Sequence, residues 1–262
     1  MAQAIVQVDA FTSAAFGGNP AGVCVLEQPR EASWMQLVAR EMNVAETAFL
    51  ERRSDGDFDL RWFTPTIEVD LCGHATLASA HALWEGGATA SLLRFHTRSG
   101  VLTAARRGEW IDLDFPATPD EPIDAPRGLL ESLGVKARYV GRSRFDFLVE
   151  VESEADVLVV QPDFRRLADV DARGAIVTSR SRTPGVDFVS RYFAPAFGID
   201  EDPATGSTHC CLGPFWTART GKHEFVARQL SARGGELQVE VNGTRVRLSG
   251  RAVTVLRGEL LA

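Results

Sequence analysis

Hydrophobic positions in this chain mostly alternate with polar ones at a period of two, the pattern of strands with one covered face. "AIVQVDAF" (4–11) alternates, "AGVCVL" (21–26) is a short apolar run, and strands at "FDLRWFTP" (58–65), "LLRFHTRSGVLTA" (92–104) and "EWIDLDFP" (109–116) follow. Two stretches break to a helical period. "ASWMQLVAREMN" (32–43) places Trp34, Leu37, Val38 and Met42 on one face. "HATLASAHALWEGG" (74–87) starts after Gly73, ends at Gly86–Gly87, and is small and apolar enough for a buried central helix. The acidic stretch "DFPATPDEPIDAPRG" (114–128), with four prolines, reads as a linker. The pattern then restarts: a short helix at "RGLLESLG" (127–134), strands in "RYVGRSRFDFLVEV" (138–151), a helix at "FRRLADV" (164–170) and a strand at "ARGAIVTSR" (172–180). In the tail, Asn242–Gly243 between alternating runs is a hairpin signal.

The second half also repeats residues of the first. Asp57-Phe-Asp-Leu-Arg-Trp-Phe-Thr-Pro65 and Asp187-Phe-Val-Ser-Arg-Tyr-Phe-Ala-Pro195 share Asp, Phe, Arg, Phe and Pro in one register. One gap later, Ala75–Thr76 and Ala204–Thr205 match as well. Ordered identities of this kind indicate a duplicated structural unit. Each half then has a strand, a loop, and a helix that starts at small residues: Gly73–His74 in one, Pro203–Ala204 in the other. If the two helix starts face one cleft, their backbone N–H groups suit a small anion.

Length and composition fit a globular protein: 262 residues, 45% hydrophobic, 24% charged. The net charge is −7 and basic residues are scattered, which argues against nucleic acid. The N-terminus reads as a strand rather than a signal peptide, and no run is apolar and long enough for a membrane span, so a cytoplasmic protein with reduced thiols is expected. The four cysteines, Cys24, Cys72, Cys210 and Cys211, lack CxxC spacing, and neither Cys72–His74 nor His209–Cys210 makes a zinc pattern. No metal site is expected. "GGNPAG" (17–22) is a Gly-rich turn without the GxGxxG of a dinucleotide fingerprint.

Four motifs, in order, cover most of the chain: "VDAFTSAAFGGNPAGVCVL" (8–26), "EMNVAETAFL" (41–50), "RWFTPTIEVDLCGHATLASAHAL" (61–83) and "EDPATGSTHCCLG" (201–213), with "RQLSARGGEL" (228–237) after them. Together they resemble the PhzF-like (phenazine-biosynthesis isomerase) family, within the diaminopimelate-epimerase fold. The resemblance implies an α+β protein of two similar, pseudo-symmetric domains, each a curved, mostly antiparallel sheet around a central helix. The first would span 1–117 with about 250–262, the second 118–249. It also implies a cofactor-free isomerase that moves a proton on a small carboxylic acid, often as a homodimer. Glu46 falls on the acid/base glutamate, and His74, Asp202 and Ser207 fall on the other polar active-site positions. Gly73 and Asp202 take the places of the two cysteines of this fold's epimerases, which disfavours two-thiol racemisation.

Each position also has a structural reading. Glu46 sits in apolar "NVAETAFL", where a carboxyl is partly desolvated and suited to proton exchange, but a glutamate at a strand start can also stand in water. A His74 near a helix N-terminus is expected neutral, as a donor or shuttle. Asp202 fits an N-cap and Glu201 a solvated neighbour. Ser207 fits a helix interior. Asn19 can touch substrate, though a turn role suits it better. Gly73, Ala75, Thr76, Ala204, Thr205 and Gly206 are expected near substrate at the helix starts, and Gln229, Arg233 and Gly234 as lining. Arg61 and Arg191 read as packing or surface residues. The alternatives to the isomerase are a non-catalytic module binding small anions on the same fold, and a racemase or epimerase.

Overall fold

The computed structural model describes residues 2–261. The chain forms two compact units: the residues up to Phe115 together with those from Leu248 onward, and Pro116–Arg247.

The first unit runs β1 (Gln3–Ala10), β2 (Asn19–Leu26), α1 (Ala32–Met42), β3 (Glu46–Arg52), β4 (Phe58–Phe63), a short β5 (Glu68–Val69), α2 (Gly73–Glu85), β6 (Leu92–Thr97), β7 (Gly100–Arg107) and β8 (Trp110–Pro116). The second has β9 (Glu121–Pro122), α3 (Leu129–Leu133), β10 (Tyr139–Arg142), β11 (Asp146–Glu150), α4 (Glu154–Leu158), α5 (Phe164–Leu167), β12 (Gly174–Arg180), β13 (Phe188–Phe193), α6 (Gly206–Thr220), β14 (Glu224–Gln229) and β15 (Gly235–Asn242). β16 (Arg245–Gly250) carries the chain back into the first unit, and β17 (Ala252–Leu260) pairs antiparallel with β1.

The duplication is visible strand by strand. In the first unit β1–β2 pair antiparallel, β2–β3 parallel, β3–β4 antiparallel, β4–β6 parallel and β6–β7 antiparallel. In the second, β10–β11, β11–β12, β12–β13, β13–β14 and β14–β15 repeat that order of senses. The repeated sequence therefore lies on equivalent strands, β4 and β13. Its arginines keep equivalent partners: Arg61 grips Glu68 through two bonds of 2.7 and 2.8 Å, and Arg191 grips Glu201 through two of 2.7 and 2.9 Å. Each guanidinium also lies over the phenylalanine two residues on, Phe63 or Phe193. Such forked pairs fix the loop that follows the strand. Glu201 is thus a structural anchor rather than a solvated neighbour.

Burial follows the pattern with one correction. In α1 the covered residues are Met35, Val38 and Ala39, flanked by Trp34 and Met42, and Leu37 is 60% exposed. The buried set keeps the three- and four-residue spacing, which Leu37 breaks. α2 is the central helix of its unit: nine of its thirteen residues are buried, and it packs against β1, β2 and β3. Its buried hydroxyls are spent on the helix itself, Thr76 on the Cys72 carbonyl (2.6 Å) and Ser79 on that of Ala75 (2.7 Å).

α6 begins at Gly206, with Thr205 as N-cap, and not at Pro203–Ala204. It also runs through Pro214, which lacks the N–H that would reach the Cys210 carbonyl. That carbonyl instead accepts the N–H of Thr118 at 3.0 Å. A linker residue thereby satisfies the acceptor the proline orphans. The hairpin turn sits one residue later than expected, with Asn242 ending β15 and Gly243 in the left-handed region (φ 58°).

Candidate active site

Parallel register explains why Glu46 and Asn19 meet. β2 and β3 run side by side with Ala21 opposite Glu46, so Asn19 and Glu46 both stand at the starts of their strands. α1 ends at Asn43, whose left-handed φ of 50° turns the chain, and β3 starts three residues later. α2 packs on these two strands and starts beside them. His74, its second residue, comes within 3.1 Å of the Glu46 carboxylate through Nε2, an ion-pair distance although off the line of a hydrogen bond. On its other edge, Nδ1 is 3.3 Å from Asn19 Nδ2 and 3.5 Å from Cys72 Sγ. Asn19 is fully buried, and the Glu46 and His74 side chains keep 13% and 6% of their exposure. Asn19 is therefore a partner of His74 and not a turn former. Its amide can turn over, offering Oδ1 to a charged ring or Nδ2 to a neutral one.

His74 is not held neutral. Burial disfavours its charged form, but interaction with Cys72 and then with Glu46 outweighs this and raises it well above the usual histidine range. Cys72 is itself raised, by burial and then by Glu46. A full ion pair at the ring edge outweighs the partial charge of the helix start.

α2 begins at Gly73, as expected, with Cys72 as its N-cap, which makes no side-chain capping bond. At the start of α6 the corresponding place is held by Thr205, followed by Gly206, Ser207 and Thr208. A pair of thiols at the two helix starts is thus not formed. Cys210 and Cys211 are buried further along α6.

Around α6 the expected residues form a frame. Asp202 is not the N-cap of α6, a place held by Thr205; its carboxylate accepts the Thr205 hydroxyl. Gln229 joins both ends of this turn, donating to the Asp202 carbonyl at 2.6 Å and accepting the Thr205 N–H at 2.8 Å. Buried to 1% exposure, Gln229 holds the 202–205 turn in place instead of lining a cleft. Gly234 closes a turn onto Ser231 with a φ of +67°, beside Arg233. Ser207 lies half-buried in the first turn of α6, and Ala204 and Gly206 are buried beside it.

Linear spacing missed one metal-capable group here. Glu46, Cys72 and His74 each offer a donor atom within 4.8 Å of the others, as do Asp55, Asp57 and His96 on the surface. In the first group, however, Cys72 faces one ring nitrogen and Glu46 the other. An ion on either nitrogen would leave one donor on the far edge of the ring.

A family model described as "Phenazine biosynthesis-like protein" matches residues 8–258. The chain belongs to this family. An uncharacterized isomerase of Halalkalibacterium halodurans is 54% identical over 100% of this chain and 99% of its own. A crystal structure of a PhzF-family phenazine biosynthesis protein from Enterococcus faecalis superposes with a TM-score of 0.96 at 39% identity, covering 100% of both chains. A hydroxyproline epimerase from Agrobacterium vitis, at 13% identity over 99% of this chain and 92% of its own, shares the fold with a TM-score of 0.65. The family is thus PhzF-like, on a fold shared with that epimerase. Among the described residues no helix is long and apolar enough to cross a membrane.

Proposed function

We propose that the protein is a cofactor-independent isomerase that moves a proton along the carbon skeleton of a small carboxylic acid, with Glu46 as the general acid and base. The observation that carries this reading is the Glu46–His74 pair, 3.1 Å apart and almost wholly removed from solvent at the start of a buried helix. Beside a charged imidazole, Glu46 is an anion able to take a proton from carbon. The electron pair left behind moves along the conjugated system, and Glu46, whose proton exchanges with solvent in between, returns a proton to a carbon further along. Nothing is gained or lost in sum, so no redox partner is required. His74 keeps the carboxylate aimed and Asn19 follows the ring through either charge state. The first N–H groups of α2, whose N-cap supplies no side-chain bond and whose first turn has no acid, are proposed to hold the substrate carboxylate. The roles proposed for Asp202 and Ser207 rest on the motif "EDPATGS" alone.

Solvent-deuterium exchange tests the reading. Small unsaturated or hydroxylated carboxylic acids are incubated in heavy water with the protein, and carbon-bound deuterium is followed. Exchange into one class of acid, abolished in Glu46→Gln, is the expected result. Binding of such acids with no exchange would replace the isomerase by an anion-binding module.

A further inference from the structure

α2 has a second functional end. From His74 to Glu85 it rises about 16 Å, and at the far end the first unit opens into a cavity of about 310 Å³. Its walls include His81, Trp84, Arg106, Ile111, Arg251 and Val253. This volume is at the lower end of small-molecule sites. The polar groups are unevenly committed. Glu85 is occupied, accepting from Thr254 and Arg257, each at 2.6 Å. Arg106 has no carboxylate partner among the described residues; its guanidinium lies 5.9 Å from the Trp84 ring. His81 Nε2 is shielded from water and, though 3.4 Å from Glu85, lacks a hydrogen bond of proper geometry. The indole N–H of Trp84 is already spent on the Ala90 carbonyl at 2.7 Å, so the ring offers the cavity only its apolar carbon edge. Glu109, also at the rim, is the one acid in the lining apart from Glu85.

In the other unit the far half of α6 carries Phe215 and Arg219, whose guanidinium lies 3.6 Å from the Phe215 ring and 4.5 Å from that of Tyr139. Cation and aromatic rings satisfy one another there.

We infer that this cavity is a second ligand site, for a small organic carboxylate with a flat apolar body. The carboxylate would sit against Arg106, and the body against Trp84, Ile111 and Val253. A guanidinium without a carboxylate partner suits a carboxylate, and the apolar wall distinguishes an organic acid from a bare inorganic anion. The helix rise separates the site from Glu46 and His74, so it stands whether or not the proposed isomerase reading does.

The test follows the indole N–H resonance of Trp84 in the full-length protein, identified by its loss in Trp84→Phe. Benzoate is the probe; acetate, inorganic phosphate and benzamide are its comparisons. The expected result is a saturable shift with benzoate, at least tenfold weaker binding of acetate, phosphate and benzamide, loss in Arg106→Glu, and partial retention in Arg106→Lys. Glu46→Gln should leave the titration unchanged. A Trp84 resonance that benzoate does not move, or moves equally in Arg106→Glu, overturns the site. Benzamide binding as well as benzoate overturns the anionic class of ligand, and does so without any variant. Phosphate binding as well as benzoate would remove the organic acid in favour of a plain anion site.

Discussion

His74 and His209 lie near the starts of the two central helices, both buried, and their surroundings drive them in opposite directions. His74 faces a carboxylate and is raised, so its contribution to stability is present below the ordinary histidine value and is lost as pH rises through the raised one. His209 faces no acid. Its ring stacks on Phe188, Nδ1 donates to the Thr205 carbonyl at 2.8 Å, and burial lowers it to about 4. The unfolded chain therefore takes up this proton more readily than the folded one. Stability from His209 is complete above about 6.5 and is lost as pH falls toward 4, by about 3 kcal/mol in all. His209→Asn keeps a donor for Thr205 but does not titrate. Chemical unfolding of both proteins between pH 4 and 7 should show the difference in stability shrinking as pH falls. A constant difference would mean that His209 is not buried in its neutral form.

At the scale of elements, α6 is packed to its backbone. A methyl group on Gly213 would stand 2.9 Å from Val241 Cγ2 and 3.1 Å from Val239 Cγ1. Alanine is the better helix former by about 1 kcal/mol, but crowding two stiff, buried valines costs about 1–3 kcal/mol. Gly213→Ala should therefore lower stability by about 1 kcal/mol in denaturant unfolding; a gain would mean that β15 can move away. The type of most elements was legible because their patterns were long: β1, β4 and β8 as alternations, α2 as a small-residue helix ended by glycine. What local pattern could not show was what distant residues supply. Nothing near Pro214 says that Thr118 takes over the Cys210 carbonyl, and nothing near Glu201 says that Arg191 holds it. α4, five residues long, is too short to carry a period. In the site, the "ET" and "GH" motifs marked Glu46 and His74. Asn19 becomes visible as their neighbour only through the β2–β3 register, and the sequence alone points to a neutral His74 because the carboxylate opposite it is 28 positions away.

At the scale of the molecule, the two units differ in how the chain builds them. The second is one continuous segment, whereas the first needs the end of the chain, because β17 pairs with β1 along its full length, from Gln3 opposite Leu260 to Ala10 opposite Ala252. Ending the chain after Gly250 leaves β1 as an unpaired edge beside the start of the site-bearing strand β2, an aggregation-prone arrangement. The expected outcome is aggregated protein, or protein whose first unit is protease-sensitive while Pro116–Arg247 stays resistant. An unchanged unfolding midpoint would show that β17 is dispensable. The central claim, that Glu46 carries the migrating proton, is tested most directly by turnover and ligand affinity of Glu46→Gln on an acid identified by deuterium exchange. The amide keeps size and shape but cannot take up the proton. Turnover should fall by about 10²–10⁴-fold, the usual contribution of general acid–base catalysis, while affinity changes only a few-fold. Turnover within a few-fold of the unaltered protein would contradict the account.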